Sequence, residues 1–361
     1  MPTDPFVIVD AHQDIASSTT EYGRDYTLSA YRIRQREGDS PAMQERGIAT
    51  TGLPEALRGR IAVIFGTLFG AAASSRTRFK PVYETPKQAY KLAVDQFDVY
   101  ERLVETSQER IMLIRTKANL ETILATWAEG KGIEDHRLGI VVAMEGADPI
   151  LEPKAFEEWY ERGVRVVGLA WHATRYSGGT AQPGPLTPMG RELLEVMAAF
   201  NAILDLSHMA EEAYLEAVDR YEGQVIASHS NPRKFSNTDR QLSDAMIRRL
   251  SERDGVMGIV PYNYFLYDGW TATSKKSASS LDRMLAAMDH VCQITGSARH
   301  VGIGSDLDGG FGAEMIPAEL DTAADLLMIA PLLIARGYTQ DDVKAIMGGN
   351  FLRILRAALP G

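Results

Sequence analysis

Short apolar runs recur along the whole chain and alternate with stretches of helical periodicity. Eight runs have the length and content of buried parallel strands: Phe6–Val9, Ile61–Leu68, Gly139–Ala143, Val164–Ala170, Ala202–Leu206, Gln224–Ala227, Gly255–Val260 and Val301–Gly304. Between them, Pro86–Val104 places Ala89, Leu92, Ala93, Phe97, Tyr100 and Leu103 on one stripe, as an amphipathic helix does. Glu211–Tyr221, Ser243–Arg253 and Leu281–Thr295 read the same way, and Ser243 followed by Asp244 supplies an N-terminal cap to the second of these. Eight strands alternating with helices predict a closed (β/α)8 TIM barrel; a doubly wound open sheet shares the alternation. Ser17–Leu57 and the Gly- and Pro-rich Tyr176–Met189 read as long loops that follow predicted strands, where a barrel carries its active-site loops. No internal repeat or low-complexity linker divides the chain, so residues 1–361 are expected to form a single barrel domain.

Charge and cysteine usage narrow the function classes. The formal net charge is −10, which disfavours a phosphate backbone as partner, so no nucleic acid is expected. The arginines between Arg24 and Arg46 are interleaved with Glu37, Asp39 and Glu45, as in a solvated loop. Cys292 is the only cysteine, which excludes an intrachain disulfide. Met1–Asp10 lacks the pattern of a signal peptide, and no uninterrupted apolar window has the length of a membrane span. The last residues, from Arg356, carry no hydrophobic tail for a lipid anchor. The expectation is a soluble cytoplasmic protein with no membrane attachment.

The chemistry sits at the predicted strand ends. The first strand leads into His12-Gln-Asp14, and residues two apart in extended backbone face the same side, so both can converge on one ion. Glu145 follows the third strand, His172 the fourth, His208 the fifth, His229 the sixth, and Asp306 and Asp308 the eighth. Six of the eight strands therefore deliver a zinc-ligand residue type to the C-terminal rim, where barrel active sites form. His136, His290 and His300 fall elsewhere: before a strand, within a helix, and before the last strand. Taken singly, each residue has an ordinary reading as a packing histidine, a turn glutamate or a capping aspartate; their joint placement carries the inference.

These segments resemble the membrane (renal) dipeptidases, zinc enzymes of the amidohydrolase-like barrel superfamily. The resemblance is carried by Asp10-Ala-His-Gln-Asp-Ile15, Met144-Glu-Gly146, Leu169-Ala-Trp-His172, Ile203-Leu-Asp-Leu-Ser-His208, Val225-Ile-Ala-Ser-His-Ser230, His300-Val-Gly-Ile-Gly-Ser-Asp-Leu-Asp-Gly309 and Met347-Gly-Gly-Asn-Phe-Leu-Arg-Ile354. It implies two zinc ions (Zn2+) per chain, with His12 and Asp14 on one, His208 and His229 on the other, and Glu145 bridging them. It also implies that His172 contacts the substrate near the scissile carbonyl and that Arg240, eleven residues after His229, holds the substrate carboxylate. Asp306 matches a proton-transfer group. A homodimer, and tolerance of a D residue at the C-terminal position of the dipeptide, are further expectations from the resemblance. The chain departs from mammalian members in lacking a cysteine near His172, and Pro261-Tyr-Asn-Tyr-Phe265 aligns uncertainly with them.

A pair of zinc ions sharing a carboxylate can acidify a water and polarise a carbonyl, a neutral imidazole can stabilise the oxyanion, and guanidinium suits a free carboxylate. The expected function is therefore a metallo-dipeptidase. A hydrolase of the same fold acting on another small carboxylate-bearing amide or lactam shares these residues. A catalytically inactive binding protein, or a nicotinamide-dependent barrel, does not explain the retained ligand set.

Overall fold

The computed structural model of the protein describes residues 6–107 and 109–361, so residues Met1–Pro5 of the stretch read above for a leader lie outside the described residues. All eight predicted strands form, and they are numbered here in chain order: β1 (Ile8–Gln13), β2 (Ile61–Phe69), β3 (Leu138–Glu145), β4 (Val164–Gly168), β5 (Ile203–Asp205), β6 (Val225–Ala227), β7 (Val256–Ile259) and β8 (Val301–Ile303). Each pairs in parallel with its neighbour, and β8 returns to β1 through Asp10 opposite Ile303, which closes the ring. The sheet is thus the closed barrel rather than the open alternative. Its strands are fully buried, which explains why they read as continuous apolar runs rather than as alternation. A short extra strand, Ile111–Leu113, pairs only with the start of β3.

The predicted helices form at Pro86–Thr106, Glu211–Arg220, Asp244–Glu252 and Leu281–Thr295. Ser243 does cap the third of these, accepting from the Met246 amide. The terminal segment around Met347 folds as a π-turn, Ala345–Gly349, running into the helix Asn350–Ala358. Asn350 ties it to the end of the barrel that bears β8's first residue, donating to the carbonyls of Ala298 and Val301 at 2.8 Å. Among the described residues no helix is long and apolar enough to cross a membrane.

The two expected loops contain regular structure. Ser17–Leu57 is largely helical, in four pieces of six to eight residues: Ile15–Tyr22, Ala30–Glu37, Pro41–Arg46 and Leu53–Arg58. Each piece is too short to show periodicity, and the Ser, Gly and Pro residues that read as loop are its start and stop signals. Ser29 accepts from the Arg32 amide, and Gly23 ends the first helix in the left-handed region at φ 68°. Tyr176–Met189 holds a hairpin, Ser177–Gly179 against Gln182–Leu186, and then starts the helix Pro188–Ala199.

Below the rim, β6, β7 and β8 approach so closely that side chains are excluded. A Cβ on Gly258 would lie 1.9 Å from the Ser228 carbonyl oxygen, and one on Gly304 would lie 1.7 Å from it. Both contacts are with backbone next to His229, so no side-chain rotation relieves them. Gly304→Ala is therefore expected to destabilise the fold by at least the roughly 1–3 kcal/mol typical of overpacking. Thermal unfolding that matches the unsubstituted protein would show that the three strands can spread.

Candidate metal centre and substrate cavity

The strand ends bring the predicted ligands into one buried cluster. β1 runs through Gln13, so His12 lies on the strand itself. Asp14 has left it for the N-cap of the next helix, at φ −87° and ψ 52°, so the two side chains meet through a turn rather than through extended pairing. His12 Nε2 is 3.6 Å from Asp14 Oδ2, 3.7 Å from Glu145 Oε2 and 3.8 Å from Asp306 Oδ1. The other oxygen of Glu145, Oε1, is 3.1 Å from His208 Nε2 and 3.2 Å from His229 Nε2. Glu145 thus offers one oxygen to each half of the cluster. Its ligand atoms fall into three overlapping groups, each within 4.8 Å: His12, Asp14 and Glu145; Glu145, His208 and His229; and His12, His229 and Asp306.

Burial sets the electrostatics. It raises the pKa of Glu145 from its ordinary 4.5 to about 8 against the pull of His12, with repulsion from Asp14 and Asp306 adding to the rise. Burial likewise raises that of Asp306 to about 7. For His12 burial opposes the charge, but Glu145, Asp14 and Asp306 prevail and raise its pKa to about 10. His208 and His229 are held well below the ordinary histidine range by burial, reinforced by Arg240 and His12, so both are neutral imidazoles. Neutral imidazoles and carboxylates crowded past mutual comfort are the donor set a divalent cation satisfies, and the residues fit such an ion.

A second layer of hydrogen bonds fixes the tautomers and was not assigned from the sequence. Ser228 Oγ lies 2.7 Å from His229 Nδ1 and donates to Asp205 Oδ2 at 2.5 Å, an arrangement that leaves His229 Nε2 toward Glu145. Thr180 Oγ1 is 3.1 Å from His208 Nδ1. Ser17 donates to Asp14, and Arg46 in turn donates to Ser17. Asp308, two residues beyond Asp306, accepts from the amides and hydroxyls of Thr50 and Thr51, so it pins the helical insertion rather than entering the cluster. For Asp205 and Ser228 the readable feature is a polar residue at an apolar strand end, with Asp205 three residues ahead of His208.

His172, Arg240 and Asp306 line one cavity of about 390 Å³ with Asp14, Glu145 and His208. Burial lowers the His172 pKa, and its Nδ1 is buried without a hydrogen-bond partner. Arg240 is 6% exposed and donates to the His229 carbonyl at 2.5 Å and to Ser230 Oγ at 3.2 Å. Among the described residues no carboxylate forms a direct ion pair with it, so it is not part of an ordinary surface salt bridge. Aromatic side chains complete the lining, including Tyr262 and Phe265 from the segment that aligned uncertainly. The remaining histidines lie apart from the cluster: His136 stacks on Trp127, His290 pairs with Asp244, and His300 meets the Gly255 carbonyl.

Known proteins resemble this chain in sequence and in fold. The sequence profile of the family described as "Membrane dipeptidase (Peptidase family M19)" matches residues 3–359. A Klebsiella pneumoniae protein described as "Uncharacterized protein in pqqA 5'region" is 29% identical over 72% of this chain and 94% of its own length. The dipeptidase tcpJ of Claviceps purpurea is 23% identical over 84% of this chain and 68% of its own. A metallo peptidase from Rhodobacter sphaeroides, solved with a phosphinate mimic of the dipeptide L-Ala-D-Ala, shares the fold with a TM-score of 0.78 and 20% identity, covering 98% of this chain and 100% of that one.

The electrostatics give a pH dependence of metal uptake. Raised pKa values mean that the metal-free cluster binds protons which a cation must displace. As pH falls through about 8 and then about 7, Glu145 and Asp306 refill and affinity drops. Near neutrality the His12 proton is also released on binding. Calorimetric titration with zinc in two buffers of different ionisation enthalpy should register net proton release; proton uptake, or an affinity flat from about pH 6 to about pH 9, would contradict the charge balance described.

Proposed function

The chain belongs to the membrane dipeptidase family and is a metallo-dipeptidase; from that premise we propose that it hydrolyses the amide bond of small dipeptides with two zinc ions per chain, bridged by Glu145. The observation that carries the dipeptide reading is Arg240. Arg240 is a buried guanidinium that lines the same cavity as the imidazole–carboxylate cluster; it feels the charges of Asp306 and Glu145 but makes no direct ion pair with a carboxylate among the described residues, which leaves its fork open to a ligand's carboxylate. The free C-terminal carboxylate of a short peptide fits, and a long peptide carries no such group so near its scissile bond.

The chain's own residues divide the work. His12 and Asp14 would hold one ion and His208 and His229 the other, with Glu145 offering an oxygen to each. Bound there, such ions supply Lewis acidity toward the carbonyl and acidify a water. Arg240 orients the substrate by its carboxylate, a bidentate match of planar groups. His172, neutral because burial lowers its pKa, donates an N–H toward the oxygen that becomes anionic. Asp306, at the end of the last strand and 3.8 Å from His12 Nε2, accepts a proton at a carboxylate oxygen and returns it to the leaving amine.

Glu145→Gln is expected to reduce metal affinity by more than the roughly 10–100-fold that loss of an outer-shell partner brings, and to abolish turnover without unfolding the barrel. Two ions per chain and normal activity in that variant, read by metal analysis and a dipeptide assay, would remove the bridging assignment. Arg240→Ala should raise KM for dipeptides by roughly 30- to 1,000-fold, equivalent to about 2–4 kcal/mol, with metal content unchanged. An unaltered KM would end the carboxylate-clamp role.

A further inference from the structure

We propose that the cavity above the metal cluster selects dipeptides bearing a large neutral apolar side chain, with Phe79 as a specificity-determining wall; this rests on the dipeptidase reading and adds the substrate class. Six aromatic side chains line the cavity, in two groups. Phe69 and Phe79 both pack edge-on against Trp171, at centroid separations of 5.2 and 5.8 Å. Opposite them, Tyr262 stacks on Phe311 at 4.3 Å and meets Phe265 edge-on at 5.0 Å. Rings packed in this way are held by one another, so the apolar surface exists before any ligand arrives.

Phe79 joins the two groups. Besides touching Trp171, it lies so close to Gly310 that a Cβ there would come within 2.3 Å of its ring. Gly310 adjoins Phe311 and has a φ of 94°, a conformation that glycine supplies without strain. The half-buried ring therefore spans from one wall to the loop that carries the other. A small side chain in this space leaves the rings without contact atoms on one side, whereas a leucine or phenylalanine side chain fills it.

Charge separates the apolar reading from its rivals. Aromatic walls can also receive cations. Here Arg78 already lies over Phe79 at 5.3 Å, and Arg240 over Phe265 at 5.4 Å. A third cation between the walls meets repulsion from both. The one carboxylate of the lining outside the metal cluster, Asp239, is exposed and accepts from the Ala181 amide. An acidic side chain fares no better. Arg46 is engaged by Ser17 and by the carbonyls of Lys80 and Asp308, and Arg240 is reserved for the terminal carboxylate. A second carboxylate would be desolvated among the rings, with only the exposed Arg78 at the outer edge to offset that cost.

The test compares kcat/KM of the zinc-loaded full chain for Ala-Ala and for dipeptides in which either residue is replaced by Leu, Phe, Lys or Glu. Leu or Phe at one position at least should exceed Ala-Ala by about tenfold or more, and Lys and Glu should not. Phe79→Ala should collapse the Leu-to-Ala ratio toward one, and Phe79→Leu should keep most of it. A ratio near one in the unsubstituted protein, or a preference for Lys or Glu, overturns the apolar selection while leaving the dipeptidase reading in place. An unchanged ratio in Phe79→Ala overturns the role of that ring. No cleavage of any dipeptide by protein shown to bind two zinc ions overturns the dipeptidase reading and this one with it.

Discussion

Three carboxylates and three imidazoles meet in a space from which water is almost excluded, and the rest of the molecule is arranged to hold them there. Glu145, with an oxygen toward each half, is the centre of that arrangement. Buried carboxylates this close repel one another strongly, as the raised pKa values of Glu145 and Asp306 express. The fold holds them in place at some local cost. His208, Asp306 and Asp308 all adopt left-handed backbone, with φ of 65°, 55° and 65°, a region uncommon for non-glycine residues. Gly258 and Gly304 give up side chains so that the strands beneath can touch.

Rigidity and adaptability are assigned to different parts of the barrel. The cluster stands on strand ends, and its histidines are oriented by residues such as Ser228, Asp205 and Thr180 that are themselves hydrogen-bonded. Phe69 apart, which ends β2, the aromatic walls come instead from connecting segments, Phe79 from one and Tyr262, Phe265 and Phe311 from others. Side chains on those segments can be exchanged without disturbing the charge balance at the floor. The same metal chemistry can thus be kept while the substrate changes.

The strands and the ligand set were legible because each has a local signature. A parallel strand covered on both faces reads as an unbroken apolar run, and a His, Asp or Glu at its end stands out. His12, Glu145, His208, His229 and Asp306 were found in that way. The insertion between β1 and β2 was not legible as helices, since pieces of six to eight residues such as Leu53–Arg58 are defined by caps and tertiary contacts rather than by periodicity. Asp205 and Ser228 were hidden for another reason: their partners are adjacent in space and twenty-three residues apart in sequence. The aromatic walls were the least accessible, because a phenylalanine that lines a cavity looks in sequence like one that fills a core. Only the packing of Phe79 on Gly310 distinguishes the two.

The seam between β1 and β8 also governs how the protein comes into being. Asp10, in the first strand, accepts from both the amide and the hydroxyl of Ser305, 295 residues later. His12 and Asp14 emerge from the ribosome long before Asp306, so the cluster has no complete form until the last strand of the barrel is made. The ring can shut only after the last strand is made, and contacts of such long sequence separation form slowly. Until then the half-built barrel exposes an unpaired β1 edge together with loose histidines and carboxylates. The complete cluster is consequently a late product of biogenesis, and the closing of the seam is the step that brings Asp306 beside His12.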